Sequence, residues 1–332
     1  MTGWTRRASV AVLWGWLTIV GLACSVQATA AQESITESRQ KFDFSIGTWI
    51  STGDTRWAHN ASSVAGLGNP TSKLTYKDVG TNVIDLAGKY WFSSKMFGRL
   101  NVGVADIGGG RLTDNDYGTG QRLFSSTISN IPGNNMWYVN ADLGGRVTEF
   151  ANHRGFLDVF GGYQYWHTEY QDVGIGQVVC DPSAIPGLTC AAAGTSSNQG
   201  QTVITNTTNW HSLRVGASTE YRLTRRFSLQ GTLALIPVSV LDNKDQHHLR
   251  SDLQQNPSFS MTGYGVGADV DVGVRFMITR NLAANAGYRL YYNRVLSGHL
   301  TTHPVVGSSD SFSLTEFQSL RQGVTAGLSL IF

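Results

Sequence analysis

Charge is scarce in this chain: Asp, Glu, Lys and Arg together make up 14% of its 332 residues. Proline is scarce too, at 7, and cysteine numbers 3. Beyond residue 31 no stretch approaches the roughly 18 consecutive apolar residues of a membrane-spanning helix, so no such helix is expected there. The 25 basic and 23 acidic residues nearly balance, which leaves no electrostatic footprint for nucleic acid. No nucleophile motif or phosphate loop is present, and "GYGVGAD" lies inside an alternating segment instead of opening a helix. His59, His153, His167, His211, His299 and His303 take no metal-ligand spacing, so neither a metal nor another cofactor is expected.

What remains is rich in glycine, with 38 residues, and in amphipathic aromatics, with 9 Trp and 12 Tyr. The N-terminus reads as a secretory signal over residues 1–31. Arg6 and Arg7 precede an apolar stretch, and Ala28-Thr29-Ala30 supplies the small-x-small cleavage pattern. Export removes those two arginines and leaves residues 32–332 as one near-neutral domain. Outside the cytoplasm, Cys180 and Cys190 in "VVCDPSAIPGLTC" are expected to form a disulfide, a close pair within a Pro/Gly loop that lacks further metal ligands.

The dominant pattern has period two. In "YGVGADVDVGVRF", Tyr264, Val266, Ala268, Val270, Val272, Val274 and Phe276 share one unbroken apolar face. Asp269, Asp271 and Arg275 lie on the other face, together with three glycines. That apolar face is longer than the ~9–11 residues that carry a tilted strand across a bilayer. "NLAANAGYRLYYN" and the C-terminal "GVTAGLSLIF" repeat the pattern, and "GKYWF", "GYQYW" and "GYRLYY" look like interfacial aromatic girdles. The expected fold is therefore all-β: a ten-stranded antiparallel transmembrane β-barrel in the outer membrane of a Gram-negative cell. Strands are expected near 41–52, 73–92, 96–108, 136–150, 155–172, 203–222, 226–242, 261–277, 281–297 and 316–332. Five long connections at 53–72, 109–135, 173–202, 243–260 and 298–315 fall outside the cell, and short turns fall in the periplasm. Ten strands enclose too little space for a wide pore. The terminal strand ending on Phe332 resembles the signal read by the barrel-assembly machinery.

Two short pairs stand out on the extracellular side. "LTDNDYG" sets Asp114 and Asp116 one residue apart, and "LDNKDQHH" does the same for Asp245 and His247. Facing each other across one rim, these groups suit the activation of a water: the histidine as general base, one carboxylate orienting it, two positioning the nucleophile. Taken singly, each pair also reads as an ordinary solvated turn.

At these residues the chain resembles the omptins, outer-membrane proteases built as ten-stranded barrels. The resemblance runs from "FSIGTWISTGDT" through "SKLTYKDVGTNVIDLAGKYWF", "RLNVGVADIGGGRLTDNDYG" and "LDVFGGYQYWHTEYQ" to "LDNKDQHH" and the last strands. It is similar as well to an omptin-like group labelled Protochlamydia outer membrane protein. The omptin resemblance implies catalysis by Asp114, Asp116, Asp245 and His247, with an activated water and no covalent intermediate. It points to Asp54 and Asp242 as the nearest acids for holding a substrate's basic side chain, though both are displaced by about one position from the omptin pattern. It implies lipopolysaccharide as an activator, and outer-membrane lipid and a peptide or protein substrate as partners. The other reading of the same sequence is a non-catalytic barrel, a narrow channel or a structural or adhesive surface protein.

Overall fold

The computed structural model describes residues 41–332; the signal segment lies outside the described residues. Eleven strand segments make up almost all of it. They are β1 (Phe42–Asn60), β2 (Leu67–Trp91), β3 (Met96–Gly118), β4 (Arg122–Gly133), β5 (Asn135–Phe150), β6 (Gly155–Cys180), β7 (Ser196–Arg222), β8 (Phe227–His247), β9 (Phe259–Met277), β10 (Leu282–Thr302) and β11 (Ser311–Ile331).

Every pairing is antiparallel, and β1 pairs with both β2 and β11, so the sheet closes on itself. The ring has ten positions because β4 and β5 occupy one between them. The lower part of β3, Met96 to Asp106, pairs with β5, and its upper part, Arg111 to Gly118, pairs with β4. Both then pair with β6, and the break between them falls at Asn134, whose φ is 132°. Closure leaves no unpaired edge in lipid, where an open edge would cost several kcal/mol per backbone group. At the seam the Phe332 N–H donates to the Phe42 carbonyl at 2.9 Å, and the two rings lie 6.3 Å apart.

The periodicity of the sequence becomes the two faces of the wall. Ile46, Ile50, Ile84, Leu100, Val104, Leu143, Leu213, Leu233 and Leu328 point outward and are exposed, forming the lipid-facing band. The aromatic clusters are divided by the same alternation. Tyr90, Phe92, Tyr163 and Tyr288 face outward, while Trp91 packs on Phe97, and Trp166 and Tyr291 enter the lumen. Inside, Asp269 accepts from Gln164 at 2.8 Å, Asp271 pairs with Arg289 at 2.8 Å, and Arg275 pairs with Asp43 at 2.8 Å. Above this network Trp166 stacks on Tyr291 at 3.9 Å and on Tyr138 at 4.9 Å, with Trp49 edge-on at 6.0 Å. Tyr138 lies so close to β3 that a Cβ on Gly103 would meet its ring at 2.3 Å, so only glycine fits there.

The extracellular connections are shorter as loops than the sequence suggests. Strands continue far above the apolar band, leaving only 61–66, 119–121, 181–195, 248–258 and 303–310 between them. In these extensions the outer wall turns polar, which removes the hydrophobic signal on one face. The inner face stays apolar through Trp57, Leu74, Tyr76, Leu112, Trp210 and Leu241. The region 109–135 is the clearest case, since it holds the top of β3 and all of β4.

Candidate active site

Asp114 and Asp116 lie near the top of β3, beyond the last lipid-facing residue of that strand, Val104. At about 3.3 Å per residue they stand on the order of 30 Å further along the strand, well clear of the bilayer core. Being two residues apart, they share the inward face. Asp114 sits opposite Leu74 and Thr127, and Asp116 opposite Ser72 and Ser125. Ser72 Oγ donates to Asp114 Oδ1 at 3.3 Å.

Across the mouth, Asp245 and His247 end β8 on its inward face. His247 Nε2 lies 3.1 Å from Asp245 Oδ2. Since a carboxylate accepts, this contact assigns the ring proton to Nε2 and leaves Nδ1 as the basic nitrogen. The other oxygen, Oδ1, accepts from Asn206 Nδ2 at 3.1 Å. Asn206 is held in turn by Asn243, whose Nδ2 donates to Asn206 Oδ1 at 2.9 Å and to Thr208 Oγ1 at 2.9 Å. The His247 backbone N–H donates to Ser258 Oγ at 2.9 Å, and its ring meets Phe259 edge-on at 5.0 Å. The His247 ring is thus fixed by the Asp245 carboxylate, by its own backbone and by Phe259.

The two halves interact. Burial pushes the Asp114 carboxyl well above the ordinary carboxylate range, and the charges of Asp116 and Asp245 push it further. Burial also raises Asp116, opposed by the Ser72 hydroxyl and by the charges of His247 and Arg250. The four residues singled out from sequence therefore converge on one cleft.

Two others do not. Asp54 and Asp242 lie on the strand faces opposite to those of Thr55 and Asn243, which are 3% and 0% exposed and point inward. Asp54 instead accepts the Asp78 backbone N–H at 3.0 Å, and Asp242 influences Tyr165 on the outer wall. Strand parity decides this outcome: a shift of one residue moves a side chain to the other side of the wall.

Sequence reasoning missed four members of the site's surroundings: Asn206, Asn243, Tyr76 and Asp172. Asp172 is fully buried, and burial followed by the Asp245 and Asp114 charges raises its carboxyl well above the usual range. The available signal was its parity, since Gln164, Trp166, Thr168, Tyr170 and Asp172 alternate along β6 and all are buried.

Cys180 and Cys190 are bonded, with Cα atoms 5.7 Å apart. The loop they close lies over the tip of β3. Ala184 and Ile185 cluster with Phe124, and a Cβ on Gly118 would meet the Ala184 carbonyl oxygen at 2.1 Å. Arg122 Nη2 pairs with Asp181 Oδ2 at 2.8 Å on the exposed side. Cys180→Ser is expected to cost about 2–3 kcal/mol of loop order. Limited proteolysis should then nick residues 181–195 while the heat-induced gel shift of the barrel persists; resistance equal to wild type would show that packing alone holds the loop.

A closed antiparallel barrel with a lipid-facing band, a filled lumen and a polar extracellular crown defines an outer-membrane β-barrel protein. The chain belongs to the Protochlamydia outer membrane protein family, whose model matches residues 52–330. Among solved structures it is similar to the outer membrane protease OmpT from Escherichia coli. That match has 16% identity and a TM-score of 0.70, and covers 91% of this chain and 100% of the other. Weaker likenesses include a FadL homologue from Pseudomonas aeruginosa, with 9% identity, coverage of 87% and 90%, and a TM-score of 0.32. The translocator domain of the autotransporter NalP from Neisseria meningitidis gives 9% identity, coverage of 98% and 97%, and a TM-score of 0.33. No curated protein matches the sequence.

Proposed function

We propose that this barrel is a surface endopeptidase that hydrolyses peptide bonds with a water held between Asp114 and Asp116 on one side and Asp245 and His247 on the other. The observation that carries the reading is the His247 Nε2 to Asp245 Oδ2 contact of 3.1 Å, aimed into the cleft that holds the two β3 acids. His247 Nδ1 takes a proton from the water as its oxygen attacks the peptide carbonyl carbon. Asp245, fixed by Asn206, stabilises the imidazolium that forms. Asp114 and Asp116 hold the water for that attack from the opposite wall. The imidazolium then returns its proton to the departing amine as the C–N bond breaks.

Thr55 and Asn243 line the inward wall where Asp54 and Asp242 do not, so neither of those two acids supplies a counter-charge for a basic side chain. Activation by lipopolysaccharide and delivery by the barrel-assembly machinery belong to the same proposal. The channel reading gains no support from the stack of Trp49, Tyr138, Trp166 and Tyr291 across the lumen. The test is digestion of a peptide library by the refolded barrel, with and without lipopolysaccharide, beside His247→Ala. Cleavage by wild type alone supports the reading, and identical digests from both proteins overturn it.

A further inference from the structure

Charge is divided unevenly between the connections at the two ends of the barrel. The four short turns, at 92–95, 151–154, 223–226 and 278–281, hold Lys95, Arg154, Arg225, Arg226 and Arg280 and no acid. The extracellular connections hold Asp181, Asp252 and Asp310 against one basic side chain, Arg250, which pairs with Asp252 at 2.6 Å. The acids and bases of the whole chain nearly balance, so this basic end is a local feature. It faces the periplasm.

The arginines are concentrated on one arc of the rim. Arg154, Arg225, Arg226 and Arg280 lie on three successive turns around the ring, and Arg222 ends β7 beside them. Backbone bonds stitch these turns together. The Arg222 N–H donates to the Arg154 carbonyl at 2.7 Å, and the Met277 N–H to the Arg226 carbonyl at 2.8 Å. Arg154 is anchored further: its Nε donates to the Arg222 carbonyl at 3.1 Å and its Nη2 to the Leu223 carbonyl at 2.7 Å. Its guanidinium lies 5.5 Å from the Tyr221 ring, which stacks on Phe150 at 6.2 Å. All five arginines are exposed. The same arc exposes Leu223, Phe276 and Ile278 at the foot of the lipid-facing band.

Exposed apolar side chains and arginines on the same turns mark the depth where hydrocarbon gives way to headgroups. A guanidinium presents a planar fork that matches a phosphate with two parallel hydrogen bonds. Its aliphatic stem can lie on apolar surface while the charged end reaches the interface. A soluble anion would satisfy the arginines but leave Leu223 and Ile278 in water. A phospholipid meets both demands, its acyl chains on the apolar residues and its phosphate on the cations. We propose that the arc of Arg154, Arg222, Arg225, Arg226 and Arg280 binds the headgroups of anionic phospholipids in the periplasmic leaflet. The arc gives the barrel a lipid preference and holds its lower rim level with that leaflet. It lies at the opposite end of the barrel from the candidate active site and does not depend on the hydrolytic reading.

The test titrates the folded barrel, in an uncharged detergent, with phosphatidylglycerol or with phosphatidylcholine of the same acyl chains. Native mass spectrometry counts the lipids retained. Wild type is expected to hold phosphatidylglycerol about tenfold or more tightly, since each basic side chain near an anionic surface is worth about fivefold. That preference should shrink as salt is raised, because the arginines are exposed and therefore screened. The double variant Arg226→Gln, Arg280→Gln should weaken phosphatidylglycerol binding by about 10–25-fold and leave phosphatidylcholine unchanged. Lysine at the same two positions keeps the charge without the fork and should retain part of the preference. Arg250→Gln, at the other end of the barrel, should change neither lipid. The heat-induced gel shift shows that each variant is folded. Equal retention of the two lipids by wild type, or a preference untouched by the double variant, would overturn the proposal. Capture of anionic peptidoglycan fragments in place of phosphatidylglycerol would assign the arc to the cell wall and overturn it equally.

Discussion

His247→Ala is expected to slow peptide cleavage by about 10²–10⁴-fold, the usual contribution of a general base. In the proposed mechanism His247 is the base: Nε2 is committed to Asp245 and the ring is clamped by Phe259 and by the backbone bond to Ser258. Asp114→Asn should cost a comparable amount, since it leaves one half of the water's cradle without its acid. The double variant should be little worse than either single one, as residues acting as a unit do not add. Asn206→Ala acts one step further out. It removes a hydrogen bond to a buried carboxylate and should cost about tenfold or more. The check is kcat/KM for each variant on one peptide, with the heat-induced gel shift as proof of folding. Rates indifferent to all of these changes would return both pairs to the status of polar turns.

Trp166→Ala should strongly destabilise the barrel itself. Trp166 is 4% exposed and sits at the centre of the lumenal stack, against Tyr291, Tyr138 and Trp49. Truncating a buried aromatic costs about 3–5 kcal/mol, part lost transfer energy and part cavity. This indole is not free to collapse into the space left, because its Nε1 donates to Thr168 Oγ1 at 3.0 Å and its neighbours are fixed to the wall. The expected result is a folded band that converts at distinctly lower temperature. Trp166→Phe should restore most of the loss; a melting curve for Trp166→Ala that overlays wild type would mean the stack does not hold the barrel.

Much of this was legible from residue order. Alternation of period two identified the wall strands because lipid on one side and a packed lumen on the other impose opposite demands on successive residues. Asp114, Asp116, Asp245 and His247 were visible as pairs at spacing two, the spacing that puts both members on one face. The extent of the strands above the membrane was not. There the outer wall meets water, so Lys73 and Glu316 can pair across it at 2.8 Å where lipid would demand leucine, and one face loses its signature. The acids Asp54 and Asp242 went astray for a related reason. Proximity in sequence to the site is no guide when one residue of parity decides between lumen and exterior. Asp172 escaped because a lone acid after an aromatic run has no local partner; its partners come from other strands.

The hydrolysis proposed for these four groups takes its new oxygen from water. A preferred peptide incubated with excess refolded barrel in ¹⁸O-labelled water, followed by mass spectrometry of peptide and protein, tests it most directly. The expected result is one heavy oxygen at each new carboxyl terminus, no peptide adduct on the barrel at any time, and no product from the Asp114→Asn, His247→Ala double variant over the same interval. A covalent peptide–protein adduct, or product from the double variant at the wild-type rate, would contradict it.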